Sequence, residues 1–501
     1  MCRIHHSVLR LSILACLTIG GLTVNSAASA ACTAPTNTCL GSGTLQANTT
    51  GTNNTAIGYL ALRYNTAGYV NTAVGVSALA NNATGYMNTA IGESALASNT
   101  TGIRNSAVGE AALLRNTTGT NNMASGVGAL YSNTTGHYNV ASGVQTLFLN
   151  VAGYYNTASG YNALYANTAN YNTASGASAL YYNTTGGSNT ANGYRALYSN
   201  TTAAGNTASG ASALYLNTTG ASNTATGNSA LYRNTTGNYN TASGASALYA
   251  NTTGVENTAV GLFALSGNTS GSYNTASGNR ALRSATTGYR NVALGYMAGA
   301  AVSGSDNIII GGNNAGTSAD AGVIRIGASA YQKKAFIAGI RGVPTGMTGA
   351  VAVLIDANGQ LGTNNSSRRF KEDIQPMGSV SERLFALRPV TFRYKQAYED
   401  GSKPMQYGLV AEEVAEVFPE LVVYGNDGKP ETVAYHVLAT LLLNELQKDH
   451  RVMQVQSEEL TALRRDNEAQ VARVAALEQQ VAVLAQAVER ADKSRMVAST
   501  R

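Results

Sequence analysis

Between residues 51 and 300 the chain has no lysine and no aspartate, only three glutamates (Glu93, Glu110 and Glu256) and eight arginines. So sparse a set of acids nearly excludes the acidic catalytic pair of a glycosidase over that stretch, but not sugar binding. The whole chain is basic, with net charge +6 and pI ≈ 9.0. Nucleic-acid binding would require the basic residues to gather on one face, and here they are scattered singly, so no nucleic-acid partner is expected. Histidine is scarce as well: His137, His436 and His450 stand too far apart in sequence to suggest a metal site. No phosphate-binding loop stands out, and no cofactor is expected. Of four cysteines, Cys32 and Cys39 lie just beyond the first thirty residues, with six residues between them. In an exported chain such a pair suits one small disulfide loop, with two free thiols as the alternative.

Export is read from the N-terminus. Arg3 and Arg10 precede an apolar run from Leu11 to Val24, and Ala28-Ser29-Ala30 offers a small-residue cleavage site. That is the pattern of a secretory signal peptide over 1–30, followed by a leader with the cysteine pair over 31–53. The apolar run is too short for a good membrane span. The mature chain is expected to lack an integral membrane segment and to be secreted or held at a bacterial cell surface.

The dominant feature is a repeat. The phrase Asn-Thr-Ala-x-Gly, or a near variant, occurs sixteen times from Asn54 to Asn307, in steps of 17 residues with two steps of 16. So strict a period over half a chain predicts a stacked β-solenoid head over 54–311, in which each turn buries its apolar side only against its neighbours. One unit runs Asn240-Thr-Ala-Ser-Gly-Ala-Ser-Ala-Leu-Tyr249 and on to Glu256. Gly244 and Gly254 divide it into two segments of about strand length, each ending in a turn. Asn and Thr recurring at one position would stack as side-chain ladders. Ala at the third position and the pair Ala247 and Leu248 are the expected inward residues.

Such a core is thin, and one Leu with a few Ala per turn offsets little of the ordering entropy of 17 residues. Three copies sharing an apolar seam would remedy that. At this level the head resembles those of trimeric autotransporter adhesins, left-handed parallel β-rolls of short repeats rich in Asn, Ala and Gly. The resemblance covers about residues 50–315; the repeat here is longer and the family's C-terminal membrane anchor is missing. It implies a trimeric, adhesin-like fibre with a host surface glycan or protein as a partner. Tyr recurs late in the unit (Tyr131, Tyr165, Tyr181, Tyr198, Tyr215, Tyr232 and Tyr249), either as an outward packing stripe or as rings for stacking on sugars.

Beyond Gly311 the beat changes. Val323–Gly327, Ala335–Arg341 and Val351–Ile355 read as apolar strands, with Asp356–Gln360 as a hairpin turn, and 312–365 is read as a β stem. From Ser366 the composition switches, with 18 basic and 20 acidic residues in the last 136.

The motifs that follow come in order: Ser366-Ser-Arg-Arg-Phe-Lys371, Leu387-Arg-Pro-Val-Thr-Phe392, Gly408-Leu-Val-Ala-Glu-Glu-Val414, Phe418-Pro-Glu420 and Val433-Ala-Tyr435. This set resembles the self-cleaving intramolecular chaperone domain found behind endosialidases and phage tail spikes. The resemblance implies a small α/β chaperone and autopeptidase domain over 366–445, in a homotrimer, that severs the Asn365–Ser366 bond. The family's opening Ser-Asp-x-Arg-x-Lys places its serine on Ser366, its arginine on Arg369 in a supporting role and its lysine on Lys371. Ser367 and Ala434 stand where the family carries acidic residues, which bears on the cleavage rate more than on the fold.

The chemistry follows from the residues. A serine hydroxyl needs a base, no histidine lies near, and a lysine serves only when largely neutral. A lysine ammonium ordinarily titrates near about 10.4, so action near pH 7 calls for about 4 kcal/mol of burial and like charge. Five positions apart lies on opposite faces of a strand, so the chain between Ser366 and Lys371 must bend, or a neighbouring subunit must supply the lysine.

Past 446, Leu460, Leu463, Val474, Leu477, Val481, Leu484 and Val488 alternate in steps of three and four, with Asn467 and Gln470 as polar interruptions. That heptad pattern reads as a coiled coil over 446–490, or as a lone amphipathic helix, ahead of a disordered tail over 491–501. The combined reading is a mainly β, trimeric fibre with a C-terminal assembly clamp; a carbohydrate-binding spike with a non-cleaving tail is the alternative.

Overall fold

The computed structural model describes residues 32, 34–328, 330–332, 334–337, 340, 351–356, 360–425 and 427–498. The expected signal peptide lies outside them. The chain divides at residue 336 into two compact units.

The first unit is a parallel β-solenoid. Eighteen strands of three residues, from β1 (Thr38–Leu40) to β18 (Ile324–Ile326), pair each with the next in parallel register. At about 4.8 Å per strand the stack is roughly 80 Å long. It runs past the Asn-Thr-Ala-x-Gly repeats at both ends. Cys39 is the central residue of β1, packs against the core and is joined to Cys32 by a disulfide.

The strands alternate as a pleat requires: in Thr173–Ser175 the outer two side chains are exposed and Ala174 is buried. Behind the row of central alanines lies a second row, Ala and Leu at the eighth and ninth positions of most units. Ala61 and Leu62, Ala196 and Leu197, and Ala247 and Leu248 have no exposed surface at all. The inward residues are those the repeat suggested.

The second segment is not a strand. From the fifth position onward each unit is a string of turns, in which residues with φ > 0 alternate with ordinary ones. Gly210 takes φ 141, Ser212 φ 56 and Leu214 φ 53. Fifteen buried leucines, Leu45 to Leu282, share this left-handed conformation with φ between 46 and 54, where an L-residue with a Cβ is strained by about 1–2 kcal/mol. The fold spends backbone energy to aim each leucine inward, which leaves one solenoid with little stability to spare.

Two files of buried asparagine run along the stack. In one, Asn71 donates Nδ2 to Gly85 O at 2.9 Å, while its backbone N–H binds Asn54 Oδ1 at 3.0 Å. In the other, Asn82 Nδ2 reaches Asn65 Oδ1 at 2.7 Å and Gly85 O at 2.9 Å. These side chains satisfy turn carbonyls that would otherwise be buried without partners. At the C-terminal end the central residue of β18 is Arg325 instead of Ala, and Asp320 accepts from its Nε and Nη2, each at 2.8 Å. Val323–Gly327 therefore forms the last solenoid turn. This ion pair gives the final turn the polar cap that a repeat stack needs.

Of the expected stem, Leu354–Ile355 (β19) and Leu361–Gly362 (β20) pair antiparallel, with Gln360 N–H on Asp356 Oδ1 at 2.8 Å. The turn residues 357–359 and residues 338, 339 and 341 lie outside the described residues, and the described part of the expected strand Ala335–Arg341 is not in a strand.

Besides β19 and β20, the second unit holds two short antiparallel pairs, β21 (Val390–Phe392) with β22 (Gln406–Gly408) and β23 (Val422–Tyr424) with β24 (Pro430–Val433). It adds the helix α1 (Ala411–Val417) and one long helix, α2 (Tyr435–Ala498). Its core is small: Val414, Phe418, Leu421, Val422, Val433 and Leu441. No helix among the described residues is long and apolar enough to cross a membrane.

Candidate functional site

Ser367 sits in extended backbone at φ −67, and a 3-10 turn follows over Arg368–Phe370. Phe370 N–H closes on Ser367 O at 3.0 Å and Lys371 N–H on Arg368 O at 3.1 Å. Three residues per turn reverse the sense in which the next side chain projects. The bend that a spacing of five demands is therefore present within one chain. It brings Lys371 Nζ to 3.1 Å from Ser366 Oγ, within reach for proton transfer. Asn365, Ser366 and Lys371 are exposed. Arg369 does not join the pair: its guanidinium lies 4.7 Å from the centre of the Phe370 ring. Ser367, where the family carries an acid, is exposed, and Ala434 donates its N–H to Leu421 O at 2.8 Å in a purely structural role.

Elsewhere in the second unit, a polar cluster fastens the turn of 3-10 helix at Val380–Ala386 to α2. Ser381, fully buried, donates to Glu445, and Asn444 Nδ2 reaches Ser381 Oγ at 2.6 Å. Lys448 bridges Glu445 at 2.9 Å and Glu382 at 3.0 Å. The hydrogen bond from Ser381, then that from Lys448, holds the Glu445 carboxyl below the ordinary carboxylate range. Sequence reasoning missed this cluster; an acid inside the apolar run of Leu441 to Leu446 was its one visible sign. Next to it lies an apolar hollow of about 510 Å³, whose lining includes Leu387, Val390, Tyr407, Tyr435, Leu438 and Leu442. Further along α2, the heptad residues Leu460, Leu463, Val474, Leu477, Val481, Leu484 and Val488 are all exposed.

On the solenoid the recurring tyrosines form a ladder, joined by Phe148, which the repeat reading overlooked. From Tyr131 through Phe148, Tyr165 and Tyr181 to Tyr249 the rings stack with centroids 4.8 to 5.4 Å apart. Their planes are nearly parallel, at 1° to 20°. Each inner ring therefore spends both faces on its neighbours. Sugars stack on ring faces, and this array presents edges, so the packing stripe is the reading that its geometry supports.

Residues 366–423 match the family model described as chaperone of endosialidase. The likeness belongs to that segment, which lies C-terminal to the solenoid in sequence, as the tail motifs suggested. No curated protein and no solved structure matches the chain.

Proposed function

We propose that this protein is an exported homotrimeric fibre whose C-terminal domain aligns three chains during assembly and then severs itself at Asn365–Ser366. The observation that carries the reading is the Lys371–Ser366 hydrogen bond at the first residues of the matched segment. Domains of this kind act in trimer assembly, and the exposed heptad seam of α2 offers the surface for it.

In the proposed step, neutral Lys371 Nζ takes the proton of Ser366 Oγ as the oxygen attacks the Asn365 carbonyl carbon. The tetrahedral adduct collapses when the Ser366 amide nitrogen leaves and takes the proton back from Lys371. The product is an ester between the Asn365 acyl group and Ser366 Oγ, with a free Ser366 amine. Water hydrolyses the ester, which leaves a carboxylate on Asn365 and restores the serine hydroxyl. In one chain the pair is open to solvent. Packing of three chains around it would exclude that water, so cleavage is expected to follow assembly.

Mass spectrometry of the purified full chain tests this. A fragment ending in Asn365 as the free acid is expected, absent from Ser366→Ala and strongly reduced in Lys371→Gln. An intact wild-type chain, or cleavage by Ser366→Ala at the wild-type rate, would overturn autoproteolysis. A fragment lighter by one water would point instead to cyclisation of the Asn365 side chain. Light scattering that returns a monomer would remove the trimer.

A further inference from the structure

The solenoid carries its few charges selectively. Each of the eighteen strands presents two outward side chains, on either side of its central residue, and none of the 36 is charged. Every arginine and glutamate between residues 51 and 300 falls in the turns instead. Towards both ends of the stack the third residue of most strands is aliphatic and exposed: Ile91 and Val108 towards one end, Val260, Leu294, Ile310 and Ile326 towards the other. The first residues Thr89, Ser106 and Thr258 are polar, and Thr275 and Ser277 interrupt the second group. In the middle, from β8 (Thr157–Ser159) to β13 (Thr241–Ser243), the outward residues are Thr, Ser and Asn.

A soluble surface seldom leaves so long a face free of charge with aliphatic groups in the open. Charge depletion of this kind is what distinguishes the centre of a protein–protein interface from its surroundings. A face about 80 Å long and about 10 Å wide offers on the order of 800 Å² per chain, as much as one partner gives to a standard interface and, in a trimer, shared between two neighbours. The ladder side of the turns is a poorer candidate, because its rings already consume one another's faces and Arg115, Arg195 and Arg233 lie over them.

We propose that this outward strand face is where copies of the chain meet, turn against the same turn, around the axis of the fibre. The occupant is a second copy of this chain and not a foreign ligand: an uncharged row with aliphatic blocks at the same levels is complementary to itself. The inference rests on the trimer proposed above and adds which surface forms it. It also gives the seam a pattern, aliphatic then hydroxyl then aliphatic, so that a slip of several turns sets Ile and Val against Ser and Thr.

The test uses the full chain with single cysteines added at two exposed positions, Ser175→Cys on the strand face and Ala204→Cys on a turn. Ser175→Cys is expected to give covalent dimers of chains with a short bis-maleimide, and to react several-fold more slowly with a bulky maleimide. Ala204→Cys is expected to give no cross-link and to label freely. Trimers by light scattering with the reverse pattern, or with Ser175→Cys labelled as fast as Ala204→Cys, would overturn the face and leave the trimer standing. Monomers would overturn both. As a second arm, Ser175→Lys with Ser209→Lys should abolish the trimer while Ala204→Lys leaves it intact. Retention of the trimer by the double lysine variant would sink the proposal even if cross-linking failed for chemical reasons.

Discussion

Among the described residues Asn268 Oδ1 is buried without a hydrogen-bond partner, and one turn further on Ala285 stands where every preceding unit of the file carries Asn. From Asn65 to Asn268 each carboxamide donates to the one before it, as Asn217 does to Asn200 at 2.9 Å and Asn268 to Asn251 at 2.7 Å. The solenoid core is therefore as much a line of carboxamides as a line of leucines. Its last oxygen has nothing to accept from.

Ala285→Asn should extend the file by one rung, with Nδ2 reaching Asn268 Oδ1. A hydrogen bond to a stranded buried acceptor is worth about 1 kcal/mol net. The expected outcome is a small rise in urea resistance. The converse, Asn200→Ala, removes the partner of Asn183 Oδ1 at 2.7 Å and of Ala203 O at 3.0 Å. It should cost about 2–4 kcal/mol, since each buried polar group left alone costs about 1–3 kcal/mol. If the two variants melt alike, the carboxamide file does not carry the stability assigned to it.

Two adjacent left-handed positions should respond in opposite directions. A Cβ on Gly210 would lie 2.5 Å from Gly227 O, in backbone that cannot give way. Gly210→Ala is therefore expected to lose at least about 2 kcal/mol. Ser212 holds φ 56 with a Cβ already in place. Ser212→Gly relieves about 1–2 kcal/mol of strain and gives back about 0.5–1 in chain entropy. It should be neutral or slightly stabilising by thermal melting, and a loss comparable to that of Gly210→Ala would refute the strain argument.

Much of this fold was legible because the solenoid repeats its reasons. Ala at the third position and Ala-Leu at the eighth and ninth recur with no polar exception in most units, so their inward aim could be read off the period. The conformation of the second segment could not. Ser-Ala-Leu carries no glycine, and nothing in those side chains announces φ > 0; the stack imposes it, because only that path closes a turn of 17 residues. In the tail the order of motifs pointed to the family, but the bend that joins Lys371 to Ser366 comes from a three-residue 3-10 turn too short for any periodicity to reveal. Arg325 looked like one more strand residue, and its role as a cap depends on Asp320, five positions away.

That cap makes the C-terminal turn pH-sensitive. The Asp320 carboxyl is held well below the ordinary carboxylate range, first by the hydrogen bonds from Arg325 and then by those from Thr317. A carboxyl depressed in the folded state adds stability that is complete above its unfolded pKa of about 3.9 and is lost as pH falls below that value towards the folded one. Hydrogen exchange at Ile324–Ile326 is thus expected to be flat from neutral pH down to about pH 4, after correction for intrinsic rates, and to quicken below. Asp320→Asn should remove that dependence and expose the turn at every pH. Equal protection of wild type and variant at pH 7 would show that the ion pair does not hold the end of the stack.

The last prediction concerns the division of labour between the two parts of the chain. Eighteen nearly identical turns specify the level of one chain against another only weakly, since sliding by one turn forfeits a single terminal contact. The aliphatic and hydroxyl blocks of the strand face penalise long slips, but between β8 and β13 one Thr-Ala-Ser turn is much like the next. Parallel pairing of distant segments is also slow, which exposes unpaired chains to aggregation. An alignment device at one end solves both problems, and the exposed heptad seam on α2 is a surface on which three chains can be levelled before the repeats engage. Chains ending at Asn365 should therefore assemble slowly into particles of mixed mass and staggered ends, whereas the full chain yields one trimeric species. Analytical ultracentrifugation of the two, refolded side by side at equal concentration, measures this. Prompt and uniform trimers from the truncated chain would mean that the repeats carry their own register and that the C-terminal domain serves some other purpose.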